Sequence, residues 1–378
     1  MENNMEVFHR MKFSCSKTEL SEAISRVSKA VPQKSTIQAL EGIKVKVSPE
    51  QVELTAYNLE MGIKTTISAI TQDNCEFVAS ARLFSEFTKK MNADKIEIEI
   101  DESNIIKLSS DSTECSFSAI PADEYPDLPI VDSKKSFSVS QTALKSMINM
   151  TSYAVSQNEN KPIFTGELFD IEDGKFTLVA IDGFRLAIRT ENIETKDKFH
   201  FVVPKKALQE VSTLLHEDED KICTISINER HIIFEINGYF VISRLLEGTF
   251  HNYKLSIPNS SKTEILINKK DFINCLERCS LIIDDKNKSP IKCEVSNGEL
   301  KINCKTSIGR VNDSIKAGQV VGEGITIGFN NKLVLEALKA AEGDVVKICF
   351  NGATKVIEFL PPEGRDYIFL VMPIQLKN

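Results

Sequence analysis

The chain has 378 residues, 42% of them apolar, enough for two or three globular domains. No run of ~18 apolar residues could span a bilayer, and the polar start "MENNMEVFHR" lacks the apolar core of an export signal. Nine cysteines, an odd number scattered along the chain, point to reduced thiols in the cytoplasm rather than a disulfide scaffold, and a net charge of -8 argues weakly against a nucleic-acid partner.

Met1 to Arg10 reads as an appendage or alternative start ahead of "MKF" at Met11. "MKFSCSKTELSEAISRVSKAV" then gives a short alternating strand and a helix with apolar residues at helical spacing. "IKVKVSPEQVELTA" predicts a hairpin, "CEFVASARLFSEFTKKM" a second strand and helix, and "KIEIEI" a strand with one apolar face. After the acidic, Pro-bearing link "PADEYPDLPIVDSKK" the order starts again with "KSFSVSQTALKSMINMTSYAV", the hairpin "LFDIEDGKFTLVA" and "KFHFVVPKKALQEVSTLL". A further link, "NYKLSIPNSSKT", leads to "KTEILINKKDFINCLERCSLI", "IKCEVSNGELKINC" and "EGITIGFNNKLVLEALKAA". Phe13 and Leu20 recur as Phe137 and Leu144, 124 residues on, and Glu50, Gly174 and Gly298 share that spacing. Asp173-Gly174 and Asn297-Gly298 are strong hairpin-turn dipeptides. Cys275 and Cys279, on one helix face, are expected as small core residues, since a metal site would need two more ligands and the nearest histidine is His251.

The expected fold class is therefore α+β, three similar domains of two strand–helix–strands halves each, at residues 1–133 (1–10 being extra), 134–260 and 261–378. The six predicted helices (17–30, 81–91, 140–152, 204–216, 268–279 and 330–342) carry 14 Lys or Arg against 8 Asp or Glu. The rest of the chain carries 32 against 46. A basic helical layer in an acidic chain suits a polyanion held against the helices, bound through phosphates without sequence reading.

The chain from Met11 to Leu376 resembles the bacterial sliding clamps, the β subunits of DNA polymerase III. The resemblance rests on the "MKF" start, the three repeats, "AIDGFRL" against the family's usual ATDGHRL, and the terminal "YIFLVMPIQL" against YVVMPMRL. It implies a head-to-tail homodimer, in which each chain forms half of a ring with helices inside, facing duplex DNA, and sheets outside. It also implies no catalysis and no cofactor. The expected partners are duplex DNA, held topologically, the polymerase III α subunit, the clamp loader and other proteins bearing a clamp-binding motif, with no membrane.

By the same resemblance, "AIDGFRL" and the C-terminus form a hydrophobic pocket for partner peptides. Motif matching nominates Ile181, Gly183, Phe184, Arg185 and Leu186 on one wall, with Phe164 from "KPIFTGELFD". "FHNYKLSI" nominates His251, Leu255 and Ser256, and "GFNNKL" nominates Asn330 and Leu333. The tail supplies Val371, Met372, Pro373, Ile374, Gln375 and Leu376, read as exposed apolar residues, with Leu370, near the chain end. Phe184, Ile181, His251 and Gln375 stand where histidine, threonine, proline and arginine are usual, which implies a greasier pocket. Candidate DNA contacts are Lys34, Arg82, Lys161, Lys205 and Lys206. Candidate interface residues are Leu281 and Ile282 against the strand holding Cys115 and Phe117, where "DSTECSF" is acidic in place of the family's basic residues.

Three other readings stay open. Asp182, Arg185 and His251 could form an acid–base cluster, although no phosphate loop, GxSxG or HExxH accompanies them. The chain could also be a clamp-like scaffold that does not close into a ring, or a specialised second copy of the clamp.

Overall fold

The computed structural model describes residues 11–71, 73–111, 113–131, 135–218, 220–283 and 289–376. The expectation for Met1 to Arg10, the boundary near residue 133 and the tail residues Lys377 and Asn378 lie outside the described residues.

Six α-helices stand where the apolar spacing predicts them: α1 (Lys17–Val27), α2 (Ala81–Lys90), α3 (Gln141–Thr151), α4 (Lys205–Leu214), α5 (Lys269–Ser280) and α6 (Asn331–Ala340). Each follows a strand directly, and a polar residue commonly marks the junction. Ser16 Oγ accepts the Glu19 N–H at 3.4 Å, and Asn268 Oδ1 accepts that of Asp271 at 3.0 Å. The buried stripes recur at helical spacing: Leu20, Ala23, Ile24 and Val27 on α1; Phe272, Cys275, Leu276 and Cys279 on α5. Cys275 and Cys279 are core residues, as expected.

The hairpins form with the expected turns. Asp173-Gly174 and Asn297-Gly298 have φ of +53° and +75°, and +52° and +76°, the double positive φ of a two-residue hairpin loop. Asn237-Gly238 repeats this in a later hairpin.

The chain gathers into two compact units, Met1–Val139 with Thr213–Leu215 and Asp220–Leu245, and Ser140–Ser212 with His216–Glu219 and Leu246–Asn378. The middle repeat contributes to both because its two hairpins pair with different neighbours. In the first unit strand Tyr239–Arg244 bonds Met61–Ser68, completing an eight-stranded sheet. A four-stranded sheet there runs Met11–Ser16, Lys95–Ile100, Ile105–Ser110 and Thr113–Ser118, the last at an edge. In the second unit Arg185–Asn192 bonds Tyr367–Val371, joining two repeats in a nine-stranded sheet. Its four-stranded sheet runs from the edge strand Arg310–Lys316 to the edge strand Ile325–Phe329.

Candidate functional site

The site lies wholly in the second unit. Strand Lys175–Ile181 reverses into Arg185–Asn192 through Asp182, Gly183 and Phe184. Asp182 Oδ1 accepts the N–H groups of Phe184 (2.9 Å) and Arg185 (3.0 Å), and the Asp182 N–H donates to the Arg185 carbonyl at 3.3 Å. This is a side-chain-closed turn of the kind short acids make well. Gly183 has φ +93° and open space about it. Phe184 is left 66% exposed.

Beside this turn Tyr367–Val371 ends, and the Met372 N–H donates to the Phe184 carbonyl at 2.8 Å. Ile181, Leu186, Leu370, Val356 and Met372 then line a cleft of about 550 Å³. Phe164, edge-on to Phe250 at 5.5 Å between ring centres, closes one end, with Ser156, Asn158 and Lys161 from the preceding loop. His251 and Ser256 form the facing wall, hydrogen-bonded Nε2 to Oγ at 3.1 Å. Tyr253 anchors that wall by donating to Asp170 Oδ2 at 2.6 Å. Burial pushes the Asp170 carboxyl up, but hydrogen bonds from Tyr253, His200 and Lys254 outweigh it and hold it below the ordinary carboxylate range.

Nine of the predicted pocket residues thus meet in one place: Phe164, Ile181, Gly183, Phe184, Arg185, Leu186, His251, Ser256 and Met372. The others do not line the cleft. Asn330 Oδ1 caps α6 by accepting the Lys332 N–H, and Leu333 packs on the core. Leu255, 82% exposed, is not among the lining residues. Val371 is fully buried, and Leu370 nearly so, because their strand lies between two others in the sheet; the expectation of an exposed apolar tail is corrected there. Pro373 ends the strand, and Ile374, Gln375 and Leu376 run on across Ile325–Phe329. The Ile374 N–H donates to the Gly328 carbonyl at 2.8 Å, and a Cβ on Gly328 would lie 2.8 Å from Leu376 Cδ2. Sequence reasoning missed Ser156, Asn158, Asp182, Val356 and Leu370 as lining residues; the polar loop before Phe164 and the quoted "AIDGFRL" and "YIFLVMPIQL" were the available signals.

The cleft's lining is mostly apolar. Of the Asp182, Arg185 and His251 cluster in the enzyme reading, Arg185 Nε donates to Asp182 Oδ2 at 2.9 Å and Nη1 donates to Glu336, while His251 bonds Ser256. A mostly apolar groove with few polar anchors suits capture of apolar side chains.

Of the DNA candidates, Lys161 lines this cleft, whereas Arg82 begins α2 and Lys205 and Lys206 begin α4. Lys34 is exposed in a loop. Phe117 is turned inward, stacked on Phe87 at 5.7 Å, which removes it as a free contact; Cys115 is half-buried on the same edge strand. Glu114 of that strand pairs with Lys107 at 2.8 Å. Leu281 is 81% exposed, and Ile282 rests against Gly309. Ile308, next in the chain to Gly309, is also exposed.

Three domain models of the DNA polymerase III beta subunit match this chain: the N-terminal domain over residues 11–129, the central over 138–252 and the C-terminal over 254–375. The chain belongs to this family. The beta sliding clamp of Bacillus subtilis is 31% identical over 377 residues, 97% of this chain and 100% of that protein. That of Halalkalibacterium halodurans is 32% identical over 366 residues, covering 93% and 96%. Among solved structures, the DNA polymerase sliding clamp of B. subtilis superposes with a TM-score of 0.94 at 30% identity, covering 97% of this chain and 100% of that one. A putative DNA polymerase III beta subunit from Eubacterium rectale gives 0.92 at 31% identity, covering 96% and 99%. The fold is the expected three-domain clamp fold, and the family is that of the non-catalytic processivity factors of DNA polymerase III.

Proposed function

We propose that this chain is a replicative sliding clamp that closes with a second copy into a ring around duplex DNA and presents the cleft to short peptides of its partners. The observation that carries the reading is the cleft: an apolar groove in a single unit, rimmed by the exposed ring of Phe184, in a chain of this family. Its occupants would be segments with large apolar side chains from the polymerase α subunit, the clamp loader and other clamp-binding proteins in the cytoplasm. Ring closure would use the two free sheet edges, Thr113–Ser118 and Arg310–Lys316, with apolar burial from Leu281, Ile282 and Ile308. Lys34, Arg82, Lys161, Lys205 and Lys206 would neutralise phosphates, and none is in an ion pair among the described residues.

The test is retention on DNA after loading. Full-length protein should stay on closed circular duplex at moderate salt and run off when the circle is cut. Equal retention on both forms would replace topological holding with ordinary electrostatic binding and return the chain to the non-ring scaffold reading.

A further inference from the structure

Arg185 lines the cleft, and its guanidinium is held by groups of the protein itself. The side chain is only 10% exposed. Nε holds Asp182, Nη1 donates to Glu336 on α6, and the guanidinium lies 5.1 Å from the centre of the Tyr153 ring. Tyr153 in turn packs edge-on against Phe369, in the strand that leads to Met372. Glu336 itself does not touch the cleft. The connected groups are therefore Glu336, Arg185, Asp182, the N–H groups of Phe184 and Arg185, and finally the exposed Phe184 ring.

We propose that Glu336 is a positioning residue of the peptide cleft, acting through Arg185 to hold the 182–184 turn and with it the Phe184 rim. The inference rests on the cleft being a peptide receptor. The physical reason is satisfaction of a buried cation. A guanidinium nine-tenths buried must keep its donors paired. With Glu336 present, Asp182 and Glu336 share the fork, which leaves Asp182 Oδ1 free to close the turn. Without the negative charge of Glu336 the buried guanidinium is left undercompensated, even where an amide oxygen still accepts from Nη1, and the cheapest repair is for Arg185 to swing toward solvent. That motion draws Asp182 Oδ2 after it and loosens the turn. Partner affinity is then set in part by a residue on a helix that no partner peptide touches.

Two measurements on the full-length protein separate this from a merely structural role. The first is amide exchange of Phe184 and Arg185, the two N–H groups held by Asp182, which needs no ligand. Glu336→Gln should speed exchange there by about tenfold, while Glu336→Asp, which keeps the charge, should recover most of the protection. Unchanged exchange in Glu336→Gln overturns the proposal. The second is binding of a fluorescent ten-residue peptide with two leucines and a phenylalanine. Glu336→Gln should weaken it about tenfold with the melting temperature lowered by no more than a few degrees, and Glu336→Asp should restore it. If the unaltered protein ignores the peptide, the receptor reading fails, and the exchange data still decide the role of Glu336. If it binds and Glu336→Gln binds equally, the proposal is wrong.

Discussion

The turn at residues 57–61 and the turn at 181–185 have one backbone design and opposite surroundings. Asn58 Oδ1 accepts the N–H groups of Glu60 (3.0 Å) and Met61 (2.7 Å), as Asp182 does for Phe184 and Arg185. Beyond the turns the sizes are exchanged. In the first repeat Gly62 makes room for Leu128, whose Cδ2 lies 2.5 Å from where a Cβ would stand, and the link fills the site. At the equivalent positions of the second repeat, 124 and 128 residues on, stand Leu186 and Ser256, both lining the open cleft. The equivalent tyrosines, Tyr125 and Tyr253, are buried in both. The turn is therefore a folding device present twice, and the cleft exists because the second link withholds a large side chain.

Removing Leu186 attacks this difference at its most buried point. Leu186→Ala should cost about 3 kcal/mol by chemical denaturation, within the usual range for truncating a buried leucine, and should abolish peptide binding. A cost below about 1 kcal/mol would mean that neighbouring chains collapse into the space, as the link does around Gly62.

A second contrast lies one strand away. Ile43 is buried in the first repeat; its counterpart is Glu167, equally buried, receiving hydrogen bonds from Thr151 and Ser152. Burial raises the Glu167 carboxyl from 4.5 to about 7, opposed by those two hydroxyls and by Lys205. Between these values the folded chain holds a proton that the unfolded chain has released. Stability therefore falls as pH rises through that window, by up to about 3 kcal/mol, and the loss is complete above it. Glu167→Gln should flatten the slope of unfolding free energy between pH 5 and 7 and stabilise the protein at pH 8. An unchanged slope would assign the pH dependence to other groups.

The repeats were legible because each level of the sequence agreed: the 124-residue offset, the Asp-Gly and Asn-Gly dipeptides, and the strand running straight into each helix. The cleft was half legible. Residues 181–186 are contiguous and fold locally, so their nomination transfers. Val356 and Leu370 reach the cleft only because Tyr367–Val371 inserts between Arg185–Asn192 and Ile357–Leu360, a pairing across nearly two hundred residues that no local pattern encodes. The same insertion buries Val371 and Leu370, which read as exposed tail. Asn330 looked like a wall residue, but an asparagine at a helix start is first a cap. The pairing of Arg185 with Glu336 depends on where α6 docks, which spacing alone does not give.

The smallest effect tests the turn itself. Leu59 occupies a left-handed position, φ +72°, where the second repeat has Gly183. A leucine there is strained by roughly 1 kcal/mol, and glycine relieves the strain at the expense of a more flexible unfolded chain. Leu59→Gly should change the melting temperature by no more than a few degrees. Gly183→Leu should cost about 1 kcal/mol from backbone strain alone, because a Cβ at that position meets nothing within 4 Å. A much larger loss in Gly183→Leu would show that the second turn, unlike the first, cannot relax when the strain is introduced. The glycine would then serve the cleft by fixing the direction in which Phe184 projects rather than by easing the fold.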